Sequence, residues 1–113
     1  MAELEPDLPT ADPPMLRIDM GLDPTGAQVV TLSGELDSSN AATLQERVAS
    51  IPPRPPQRLI FDLTGLRFMD SAGIAVLIGA AAKASSMSLR NPSPIIRRVL
   101  EATGLSNVFS IES

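Results

Sequence analysis

Residues 59–83, LIFDLTGLRFMDSAGIAVLIGAAAK, constrain what this chain can fold into more than any other stretch. Leu59, Ile60, Phe61 and Leu63 form a nearly continuous apolar run in which Asp62 is the one polar interruption. Such a run suits a strand covered on both faces, as in a parallel sheet with helices above and below. Thr64-Gly65 then predicts a turn. Beyond it, Asp70 or Ser71 offers a side-chain oxygen to the free backbone N–H groups of a new helix, which is expected to start within a residue of Ser71.

From Ala72 to Ala82 that helix carries no charge, yet it is far shorter than the ~20 apolar residues that span a bilayer. At 3.6 residues per turn Ile74, Leu77, Ile78 and Ala81 share one stripe, the expected core face. The opposite side carries Ala72, Ala75, Val76 and Gly79. A short chain has little left to cover that second apolar side, so it is read as a docking surface for another protein. Gly79 supports this, because a helix-interior glycine costs about 1 kcal/mol relative to alanine and needs a reason.

The rest of the chain supplies the layers around this unit. Residues 1–14 mix Glu3, Glu5, Asp7 and Asp12 with four prolines, a composition expected to remain a disordered tail. MLRIDM (15–20) and Gln28–Leu32 predict an opening hairpin across the Asp-Pro and Gly signals of 21–26. Gly34-Glu35-Leu36-Asp37 ends the second strand, and Asp37, Ser38 and Ser39 are N-cap candidates for a helix carrying Ala41, Leu44 and Val48 inward. Pro52-Pro53-Arg54-Pro55-Pro56 predicts an extended link. Met87–Leu89 is a short strand, Ser93-Pro94 starts a last helix with Ile95, Ile96, Val99 and Leu100 inward, and Gly104 ends it in the left-handed conformation. Val108–Ile111 adds an edge strand or simply packs.

The expected fold is therefore a small α/β sandwich: a four-strand mixed sheet with an opening hairpin and about three helices, as one domain over 15–113. Loops at the carboxyl ends of its parallel strands should cluster on one edge, bringing Asp37 to the Asp70-Ser71 turn.

Composition excludes several functions. The formal net charge of -4 denies nucleic acid and anionic membranes a basic patch. There is no cysteine and no histidine, which removes disulfides, the common zinc sites and histidine-based acid/base chemistry, so no cofactor or metal is expected. Ser71 beside Asp70 lacks the base a serine nucleophile needs, and Lys83 lies about three helical turns away, so an enzyme is not expected. No secretory signal is apparent, and the expected location is cytoplasmic.

GELD at 34–37, FMDSAG at 68–73 and NPSP at 91–94 with RRVLEATGL at 97–105 together resemble the STAS domain, and more narrowly the bacterial anti-sigma factor antagonists. The resemblance implies that Ser71 is phosphorylated by an anti-sigma factor that is also a GHKL-type serine kinase, and that a PP2C-type phosphatase resets it. It implies too that the unphosphorylated form captures the anti-sigma factor and frees the sigma factor. Asp70 matches the acidic residue beside the acceptor, and Asp37 the acidic loop position of the partner surface, which with Ala72, Gly73, Ala75, Val76 and Gly79 makes up the expected docking residues. Ala72 departs from the second Ser or Thr that many members carry, leaving Ser71 as the single acceptor in the loop. The alternative within the same fold is a non-switching accessory subunit of a lipid-transport ABC system or a stress-signalling assembly.

Overall fold

The computed structural model describes residues 15–53 and 57–112. The expected tail at 1–14 and the centre of the proline link lie outside them. The elements run β1 (Leu16–Leu22), β2 (Gln28–Leu36), α1 (Ala41–Ala49), β3 (Arg58–Met69), α2 (Ser71–Lys83), β4 (Ser86–Arg90), α3 (Pro94–Ala102), a 3-10 turn (Leu105–Asn107) and β5 (Ser110–Glu112). The sheet has five strands in the order β1-β2-β3-β4-β5, one more than the four expected, because the end of the chain joins β4 as a short parallel edge strand. β1 and β2 form the antiparallel opening hairpin, and the pairs from β2 onward are parallel.

Each parallel pair encloses a helix, and right-handed crossovers between neighbours taken in order place all three helices on the same face. Burial agrees. Val30, Leu32 and Leu36 on β2, Leu59, Phe61 and Leu63 on β3 and Leu89 on β4 join Leu44, Leu77, Ile96 and Leu100 of the helices in one core. The alternate residues Thr31, Ile60, Asp62, Ser88 and Arg90 are only half-buried. Among the described residues the fold is thus a two-layer sandwich with one open sheet face, and the expectation of helices on both faces of residues 59–63 is corrected. Ile60 alone made the run look continuous; Asp62 marks the solvent side.

The expected turn at Thr64-Gly65 is likewise strand. β3 continues to Met69, and its register against β2 slips twice, between Thr31 and Ser33 and between Gly34 and Glu35. Each slip inserts one extra residue into β3, a β-bulge. The bulges explain the spacing of the buried residues, which changes from two (Leu59, Phe61, Leu63) to three (Leu63, Leu66, Met69) without any of them leaving the core. Gly65 sits at the first slip, where a Cβ would lie 2.8 Å from that of Ser33.

Two helix faces also differ from expectation. On α2 the buried residues are Gly73, Val76, Leu77 and Ala80, while Ile78 is exposed. Gly73 and Ala80 turn toward the fold, while Ala75 and Gly79 stay exposed, because the first turn of α2 lies close upon the sheet: a Cβ on Gly73 would stand 2.7 Å from Leu36 Cγ and 2.8 Å from Met69 Cγ. On α3, Ile96 and Leu100 are buried, but Ile95, one residue inside the Pro94 start, is exposed.

Candidate functional site

β2 and β3 end together, Leu36 paired with Met69. The next residue of each strand, Asp37 and Asp70, therefore leaves the sheet at the same edge, and the Asp70 N–H donates to Leu36 O at 3.2 Å. Parallel register thereby joins two stretches of sequence that are 33 residues apart by their numbers.

Asp70 is the N-cap of α2. Its backbone is extended (φ -105°, ψ -171°), and its Oδ1 accepts from the N–H groups of Ala72 at 2.9 Å and Gly73 at 3.3 Å. Its carbonyl accepts from Ile74 N. Ser71 is the first helical residue and is exposed. With Asp70 taking the capping role, the Ser71 hydroxyl makes no hydrogen bond among the described residues and faces solvent at the positive end of the helix dipole.

Asp37 organises its own loop. Its Oδ1 accepts from the Ser39 hydroxyl at 2.5 Å and the Ser39 N–H at 2.9 Å. These two bonds, the hydroxyl first, hold its carboxyl below the usual aspartate value against a smaller opposing desolvation. The N-cap of α1 is Asn40, not Asp37, Ser38 or Ser39, and its side chain bridges backward: Oδ1 accepts from Asp37 N at 3.0 Å and Nδ2 donates to Glu35 O at 2.9 Å. Asn40, a residue type common at helix caps, is thus a positioning residue for this edge. Glu35, in β2, accepts from the guanidinium of Arg67, with Nε at 2.9 Å. Phe68, beside it, is 46% exposed, a large apolar side chain next to the acidic edge.

The expected docking residues divide. Gly73 is buried on the sheet-facing side of α2, so it shapes the site from within. Ala72, Ala75, Val76 and Gly79 all line one groove of about 770 Å³ between α1 and α2, whose other lining includes Ala41, Val48 and Leu59. Val76 is 9% exposed and belongs to the floor more than to a rim. The uncharged side of α2 is one wall of a cleft, with α1 as the other.

The model of the STAS domain family matches residues 22–113 of this chain. The chain belongs to the STAS domain family. This STAS domain is 30% identical over 91 residues to an anti-sigma F factor antagonist of Paenibacillus polymyxa, covering 76% of this chain and 78% of that protein. It is 33% identical over 82 residues to one from Lysinibacillus sphaericus, covering 68% and 70%. Among solved structures it superposes with TM-score 0.77 on an anti-sigma factor antagonist from Mycobacterium paratuberculosis, at 26% identity over 86% of this chain and 85% of that one. A STAS domain protein from Planctomyces limnophilus, at 19% identity and TM-score 0.78 over 85% and 89%, shares the fold. Among the described residues, no helix of this STAS domain is long and apolar enough to cross a membrane.

Proposed function

We propose that this STAS domain is an anti-sigma factor antagonist: unphosphorylated, it captures an anti-sigma factor that is also a serine kinase, and phosphorylation of Ser71 releases it. The observation that carries the reading is the exposed hydroxyl of Ser71 at the first position of α2, unbonded among the described residues and directly after a cap that leaves it spare. The relatives named as anti-sigma factor antagonists support the same assignment.

The physical chemistry is that of a charge switch. A phosphate on Ser71 adds roughly -1.5 to -2 charge at a helix N-terminus, where the dipole tolerates it and the fold survives. Across an interface the balance reverses. Asp70 and Asp37 already make this edge acidic, so a third negative group buried against a partner without a new cation costs on the order of 2–5 kcal/mol. A partner thus reads Ser71 together with Asp37, Asp70 and the upper wall of α2 at half-buried Ala72 and exposed Ala75. Catalysis lacks support: the chain has no histidine, and Lys83 is about 18 Å along the helix axis from Ser71.

Calorimetric titration against a candidate GHKL-type anti-sigma kinase tests this. Wild type and Ser71→Ala are expected to bind alike and Ser71→Glu to lose binding, while mass spectrometry after incubation with kinase and ATP finds phosphate on Ser71, removable by a PP2C-type phosphatase. Equal binding by all three forms would remove the switch.

A further inference from the structure

We propose that the groove between α1 and α2 binds a free long-chain fatty acid, its carboxylate against Lys83 and its hydrocarbon chain along Ala75 and Gly79. The inference does not depend on the regulatory role of Ser71.

At about 770 Å³ the groove falls within the size of small-molecule sites, ~300–1,000 Å³. Its depth argues for a thin occupant. α1 and α2 pack on one another, yet the groove reaches Leu59 of the sheet between them. A partner helix, about 10 Å across, cannot pass between two helices in contact; a single polymethylene chain is narrow enough. A peptide strand would fit the width but would bring a backbone N–H and C=O from every residue into a groove whose polar side chains, among the described residues, are Gln45, Gln57 and Lys83. A hydrocarbon chain has no such groups to satisfy.

Charge distribution argues for the carboxylate. Among the described residues lining the groove Lys83 alone is charged, and no acidic side chain lines it, in a chain whose net charge is -4. Lys83 is exposed and has no ion pair among the described residues. It stands at the end of α2 remote from Ser71, so an acyl chain anchored there has about 16 Å of helix wall to follow up to Ala72.

The test is displacement of cis-parinaric acid from the full chain by palmitate, read by fluorescence below the micelle concentration, with amide NMR shifts locating the site. Saturable binding is expected, with shifts at Ala72, Ala75, Gly79 and Lys83. Gly79→Phe, placed where a Cβ meets nothing within 4 Å, should fill the groove and cut palmitate affinity at least about tenfold while the amide spectrum stays that of the folded domain. Lys83→Gln should weaken palmitate about tenfold and leave hexadecanol unchanged. Absence of saturable binding, indifference to Gly79→Phe, shifts confined to the open sheet face, or binding only to phosphatidylglycerol vesicles would each overturn the proposal.

Discussion

Gly73 of α2 lies so close to Leu36 at the end of β2 that a Cβ there would stand 2.7 Å from Leu36 Cγ. This contact seats the first turn of α2 on the sheet edge and thereby sets where Asp70 and Ser71 emerge. The two glycines of α2 consequently respond in opposite ways to alanine. Gly73→Ala forces Leu36 and Met69 aside and should destabilise the domain by about 1–3 kcal/mol. Gly79→Ala meets nothing within 4 Å and should stabilise it by up to about 1 kcal/mol through helix propensity. Urea unfolding of both variants checks the pair, and a common sign would contradict the seating of the helix.

Asp70 accepts from two N–H groups of α2 that otherwise have no partner in the helix. Asp70→Ala should lose about 1 kcal/mol of stability and Asp70→Asn, which still offers an oxygen, much less. Chemical denaturation of the two variants separates loss of the cap from loss of the charge.

Ser71 supplies no capping bond, so Ser71→Ala should leave the unfolding midpoint within about 0.5 kcal/mol of wild type. Ser71→Glu places a negative charge in the first turn of α2 and should raise stability by about 0.3–1 kcal/mol at low salt. A large loss in either variant would make the hydroxyl structural instead of available for modification.

The Asp37 carboxyl is depressed by the Ser39 hydroxyl first and the Ser39 N–H second, and Asp23 by the Thr25 hydroxyl above all. A folded-state pKa below the unfolded value means that protons prefer the unfolded chain. The stability contributed is present above the unfolded aspartate value of about 3.9 and is lost as pH falls through the depressed one. Carboxyl NMR titration should find both groups below the usual range, and Ser39→Ala should return Asp37 toward it while leaving Asp23 in place.

Much of this was written locally. The Ser93-Pro94 start, with Ser93 Oγ accepting from Ile96 N, the left-handed Gly104 after α3 (φ 76°) and the cap before Ser71 each depend on a few neighbouring residues. The course of residues 64–69 was not legible, because a bulge leaves two residues of β3 against one of β2 and the break in alternation reads as a turn until the partner strand is seen. Nor was the buried face of α2. With apolar residues all round, periodicity assigns no inside, and the bulky stripe is a poor guide where a glycine permits close approach.

The sequence by itself determined the order of strands and helices, the STAS resemblance and the residues around Ser71, because capping, turn chemistry and apolar runs act over a few residues. Only the tertiary structure decided that Asp37 and Asp70 share an edge, that Asn40 braces it, and that the small side of α2 walls a groove. Those features depend on strand register and on how closely α2 lies upon the sheet, and both are set by side chains far apart in the chain.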